Sequence, residues 1–105
     1  MSKVNKLVRN GQVAVLYSPG FGAGWYTWNL DCPDIIFDPG LVDLVEREET
    51  EQIFAYLTLK WPDVYIGGAD QLTIKWLPEG TLFRIEETDG NEQIVIKEDM
   101  QWIVA

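Results

Sequence analysis

Between Thr81 and Glu98 the chain reads TLFRIEET, then Asp89-Gly90-Asn91, then EQIVIKE. An Asp-Gly pair between two segments rich in β-branched and alternating apolar residues is the strongest short-range signal for a β-hairpin. The turn that joins two antiparallel strands needs positive φ, which glycine adopts without steric cost. The spacing predicts pairing of residues 81–88 with 92–98. Sheet structure is therefore fixed at one end of a 105-residue chain, a length that supports one domain with a single core.

The other segments extend this reading. GQVAVLYS, from Gly11 to Ser18, is a continuous apolar run bounded by Gly and Ser-Pro, the pattern of a buried strand. LTIKWL alternates Leu72, Ile74 and Trp76 against Thr73, Lys75 and Leu77, and the following PEG supplies a turn. GWYTWN suits a second short strand, Ile35-Ile36-Phe37 is strand-like, PDVYIGGAD reads as a short strand ending at Gly67-Gly68, and MQWIVA is a candidate last strand. Asp38 followed by Pro39 marks a helix start, because a carboxylate accepts from orphan amides and proline fits the first turn. Leu41, Val42, Leu44 and Val45 form one apolar stripe, and Ile53, Phe54, Leu57 and Trp61 form another before Pro62 stops the helix. The expectation is an α+β domain spanning 1–105, an antiparallel sheet with a helical insertion over about residues 39–61 packed on one face.

Much chemistry is excluded by composition. With no histidine and one cysteine, neither a zinc site of usual composition nor a Ser-His-Asp or Cys-His arrangement can be built within the chain. The lone Cys32 precludes an internal disulfide and fits a reducing, cytoplasmic setting. No stretch approaches the ~20 apolar residues of a membrane span, and the basic start MSKVNKLVRNG lacks the apolar run of a signal peptide. Acidic residues number 17 against 8 basic ones, a net charge of −9. That balance disfavours contact with a nucleic-acid backbone and favours a basic partner or plain solubility. Asp31, Asp34 and Asp38 lie close enough in sequence to hold a hard cation or serve as an acid–base pair. The simpler role for them is capping a helix and flanking the turn at Pro33. The reading is of a binding protein, not an enzyme, with no cofactor.

Two candidate binding features stand out. Ser18 to Asn29, SPGFGAGWYTWN, holds three glycines and four aromatics in twelve positions. It lacks the lysine of a P-loop, and its G-x-G-x-G spacing with aromatics following departs from the dinucleotide fingerprint. Backbone without side chains leaves amides open to an anion or a base edge, and nearby rings can stack on a flat ligand. The candidate pocket is Ser18, Gly20, Phe21, Gly22, Gly24, Trp25, Tyr26 and Trp28, with Arg84 or Arg9 supplying positive potential. The alternative is that the glycines turn a corner while the rings fill the core. The second feature is the acidic run from Asp43 to Glu51, interrupted by Arg47, in which Glu46, Glu48, Glu49 and Glu51 could imitate a nucleic-acid strand to a basic protein.

VAVLYSPGFGAGWYTWN, IIFDPGLVDLVE and WLPEGTLFRIEETDGNEQIV occur here in that order, and with them roughly residues 8 to 105 resemble a group of small bacteriophage and prophage proteins. The group is similar to small type II-A anti-CRISPR proteins, and others of that size and origin resemble sponges that sequester cyclic-nucleotide immune signals. The resemblance implies counter-defence in the cytoplasm of an infected bacterium. The partner would be a small nucleotide-like ligand, held across a possible homo-oligomer, or an immune effector such as Cas9. It assigns no site residues.

Overall fold

The computed structural model describes residues 6–19 and 24–97. Asp89 and Gly90, at φ 51° and 84°, form a two-residue loop between β4 (Phe83–Thr88) and β5 (Asn91–Ile96). The antiparallel register runs from Thr88↔Asn91 to Phe83↔Ile96, so the predicted hairpin is present with slightly shorter arms. Asn10 and Gly11, at φ 53° and 76°, make the same kind of turn between β1 (Val8–Arg9) and β2 (Gln12–Tyr17). β2 pairs antiparallel with β3 (Thr73–Pro78) from Gln12↔Pro78 to Tyr17↔Thr73. The strands thus divide into a three-stranded sheet, β1-β2-β3, and the β4-β5 ribbon.

Val13, Ala14, Val15 and Leu16 are all buried, so β2 is covered on both faces and its unbroken apolar run is explained. The helical insertion lies between β2 and β3. α1 (Pro39–Glu46) begins where Asp38 accepts a 2.9 Å hydrogen bond from the Leu41 amide, and it buries Leu41, Val42 and Leu44. The chain reverses through Glu48, at φ 56°, into α2 (Thr50–Lys60), which buries Ile53 and Leu57 and ends before Pro62. The result is a single α+β domain with a common core of β2, both helices, Trp25, Ile35 and Leu77. Among the described residues no helix is long and apolar enough to cross a membrane.

Three expected strands are not strands. Tyr26–Trp28 and Pro33–Ile36 are single turns of 3-10 helix. In the second, Ile35 and Ile36 are buried by packing, without a strand partner, and short apolar runs do not distinguish the two cases. The segment before Gly67-Gly68 makes turns and then a 3-10 turn at Ala69–Gln71. Its backbone finds another partner: the Asn29 side chain accepts from Tyr65 N at 2.9 Å and donates to Tyr65 O at 2.9 Å. An amide side chain thereby takes the place of a neighbouring strand. The strand expected in MQWIVA lies outside the described residues.

Candidate functional site

Ser18 to Asn29 is organised around a carboxylate from the other end of the chain. Glu92, the second residue of β5, has no exposed surface. One of its oxygens accepts from Ser18 N at 2.9 Å; the other accepts from Trp25 N at 2.9 Å, Thr27 N at 2.8 Å and Thr27 Oγ1 at 3.0 Å. The Glu92 amide in turn donates to Ser18 O at 2.9 Å. Three backbone amides of the stretch are therefore held by an internal anion, and at those positions no donor is left for an external one.

A second clamp lies opposite. Ser18 Oγ donates to Gly68 O at 2.9 Å, and Gly68 has φ 79°. A Cβ on Gly68 would run into the Gly24 carbonyl and Ser18 Oγ, so only glycine permits the two loops to approach this closely. Trp25 is fully buried and belongs to the core, so its ring presents no stacking surface to a ligand. Gly20, Phe21 and Gly22 lie outside the described residues.

Three residues on from Trp25 the environment inverts. Trp28 is 66% exposed, and its ring lies 5.6 Å from that of Tyr65, itself 42% exposed. Asn29 holds this pair together, because its amide also donates to Trp25 O at 2.8 Å while bridging the Tyr65 backbone. Beside Trp28 opens a cleft of about 370 Å³ lined by Asp31, Cys32, Lys60, Trp61 and Asp63 among others. Lys60 extends from the end of α2 to Asp38, 2.5 Å away, and lies 5.0 Å from the Trp61 ring centre. Asp38 also accepts from Tyr56 Oη at 2.5 Å. Burial pushes the Asp38 carboxyl up, but hydrogen bonds from Lys60, Tyr56 and the Leu41 amide outweigh it and hold the group below its ordinary range. Hydrogen bonding to Asp38 raises Lys60 correspondingly. Burial, and then the Asp34 charge, push the Cys32 thiol up, away from the reactive thiolate.

The remaining candidates separate. Tyr26 and Arg84 come together, but in a different cleft, walled by Leu30, Pro33, Phe37 and Phe83, and Arg84 is paired with Glu86 at 2.6 Å. In the acidic run, Glu46 is held by Arg9 through two bonds of 2.7 and 2.8 Å. Arg47 lies 2.9 Å from Asp43 and 3.3 Å from Glu49. Glu48 occupies the inter-helix turn, and Glu51 stands exposed in the first turn of α2. Two of the four glutamates are thus engaged by arginines within the fold. Asp38 is a helix cap, and among the described residues no group of three acidic, histidine or cysteine side chains is placed to hold a metal ion.

Composition and periodicity do not mark Lys60, Tyr65 or Asp63 as binding residues, and they place Trp61 on the apolar stripe of a helix, where the structure has it as the residue that follows α2. For Glu92 a signal exists. Along β5 it lies on the same face as Ile94 and Ile96, both packed on the core, so the two-residue alternation of a strand points its carboxylate inward. No known protein family, curated protein or solved structure matches the chain.

Proposed function

We propose that this protein acts by binding another protein, without catalysis, and that the contact face is the cleft lined by Trp28 and Trp61, with Tyr65 beside Trp28. The observation that carries the reading is the exposure of Trp28 next to a second exposed aromatic over a cleft of about 370 Å³. Tryptophan and tyrosine are the side chains that most often anchor protein interfaces, since they bring large rigid area at low entropic cost. The resemblance to phage proteins supplies the setting, in which the partner is a bacterial immune effector of the Cas9 type and the site of action is the cytoplasm of the infected cell.

The nucleotide-sponge reading has less support. Amides at Ser18, Trp25 and Thr27 serve Glu92, the Trp25 ring is buried, and Arg84 is paired with Glu86. The test sets three proteins side by side in an inhibition assay on a purified type II-A Cas9: wild type, Trp28→Ala, and the quadruple Glu46, Glu48, Glu49, Glu51→Lys variant. A panel of cyclic and linear nucleotides is titrated into the same samples. The expected result is loss of inhibition in Trp28→Ala with a melting temperature lowered by no more than a few degrees, and no nucleotide binding. Retention of inhibition by Trp28→Ala with its loss in the charge-reversed variant would place the contact on the acidic run instead. Tight nucleotide binding by the wild type would restore the sponge reading.

A further inference from the structure

We propose that the cleft beside Trp28 receives an arginine side chain of the partner protein, a step that rests on the binding function proposed above and gives its face a ligand chemistry. Three charged side chains line the cleft, the acidic Asp31 and Asp63 and the basic Lys60. Lys60 is compensated, because Asp38 lies 2.5 Å from its ammonium group. Asp31 and Asp63 are exposed, and among the described residues neither is ion-paired. The cleft thus carries the charge of two uncompensated carboxylates within a protein of net charge −9. The net field of the cleft therefore disfavours an anionic ligand and draws in a cation.

The walls suit the same occupant. Indole is the ring whose face attracts cations most strongly. The molecule already makes that contact at this cleft, with Lys60 Nζ 5.0 Å from the Trp61 ring centre, and again elsewhere, with the Arg9 guanidinium 5.2 Å from the Trp76 ring centre. Trp28 is the second indole at the cleft, and its ring is mostly open to solvent. Among cationic side chains, arginine fits best. Its planar guanidinium stacks on an aromatic face while its edge donates to carboxylates in a two-pronged fork, whereas an ammonium is a more strongly hydrated point charge.

The experiment is an NMR titration that follows the indole N–H signals of Trp28 and Trp61. The probes are a blocked Gly-Arg-Gly peptide, the same peptide with citrulline in place of arginine, and AMP. Citrulline keeps the shape and loses the charge. Saturable shifts of both indoles are expected with the arginyl peptide, about two- to fivefold weaker with citrulline, the factor that one cation–π contact supplies at an exposed site. Asp31→Asn/Asp63→Asn should weaken arginyl binding by a similar factor and remove most of its salt dependence, with an unchanged melting temperature. Equal affinity for citrulline, stronger binding of AMP at the same indoles, or no saturable shift overturns the proposal. Its failure is separable from that of the binding function. If the arginyl peptide fails while Trp28→Ala still loses inhibition of the effector, the arginine assignment alone falls. If the peptide binds as expected and Trp28→Ala still inhibits, the cleft chemistry stands and the interface moves elsewhere.

Discussion

Replacing Glu92 tests the central organising contact of the molecule. In Glu92→Ala three backbone amides, of Ser18, Trp25 and Thr27, and the Thr27 hydroxyl lose their acceptor at once. An unmet buried donor costs about 1–3 kcal/mol. The Ser18 and Trp25 donors are deeply buried while Thr27 is only half-buried, and water can relieve part of its loss. The expected destabilisation is therefore about 3–6 kcal/mol, a large share of the roughly 5–15 kcal/mol that holds a domain together. At about 4–8 °C per kcal/mol for a chain near this size, the melting temperature should fall by about 12 °C or more.

Glu92→Gln separates shape from chemistry. It fills the same space and keeps one acceptor oxygen, but its NH2 group must face donors that the carboxylate satisfied. It should recover less than half of the loss. The assay is thermal unfolding by circular dichroism, with hydrogen exchange read at the Ser18, Trp25 and Thr27 amides. Faster exchange confined to those amides and their neighbours identifies the clamp. A Glu92→Gln protein melting within about 2 °C of wild type would refute the reasoning, since the loop would then be held by packing and not by the carboxylate.

Trp25→Ala, which empties a fully buried site, should cost about 3–5 kcal/mol, whereas Trp28→Ala at a site 66% exposed should cost under about 1 kcal/mol, a contrast measurable by urea unfolding. Asp38, whose folded pKa is lowered, contributes stability that is complete above its unfolded value near 4 and is lost as pH falls through the folded value. Acid titration of Asp38→Asn should therefore show a gap to wild type at pH 7 that closes below about pH 4. Gly68→Ala should lower stability by about 1–3 kcal/mol in thermal melts, because both its φ of 79° and the nearby Gly24 carbonyl oppose a Cβ. Gly90→Val, at φ 84° in the hairpin turn, should cost about 1 kcal/mol or more by the same measure.

What the sequence made legible was the part governed by local rules. Asp89-Gly90 demands positive φ and yields the hairpin; Asp38-Pro39 and Pro62 bracket the helices; the Val-rich run becomes the doubly covered strand. Asn10-Gly11 obeys the hairpin rule as well, but its first strand is two residues long and too short to show alternation. The segments that defeated pattern reading have their backbone groups satisfied by side chains distant in sequence. Tyr65 pairs with Asn29, and Ser18, Trp25 and Thr27 pair with Glu92, across separations of 36 to 74 residues. Periodicity within those segments themselves carries no trace of such partners, even where the alternation of β5 turns Glu92 inward, so a buried aromatic run looks like a strand whether it pairs with one or not.

The same clamps decide how the glycine–aromatic stretch divides between folding and binding. Trp25 and Trp28 are three residues apart, yet one is fully buried and the other mostly exposed. Glu92 draws the amides on either side of Tyr26 toward the core, which pulls the Trp25 ring in; Asn29 then fastens the chain to Tyr65, which leaves the next ring outside. Neither clamp uses the Trp28 side chain. Its ring touches Tyr65 and covers Gly24, contacts worth little beside the four bonds to Glu92. Folding would therefore be served nearly as well by a small polar residue at position 28, which would spare the molecule an exposed apolar surface. An indole whose exposure contributes so little to the fold, set over a cleft with two uncompensated carboxylates, is the feature on which the proposed binding face rests.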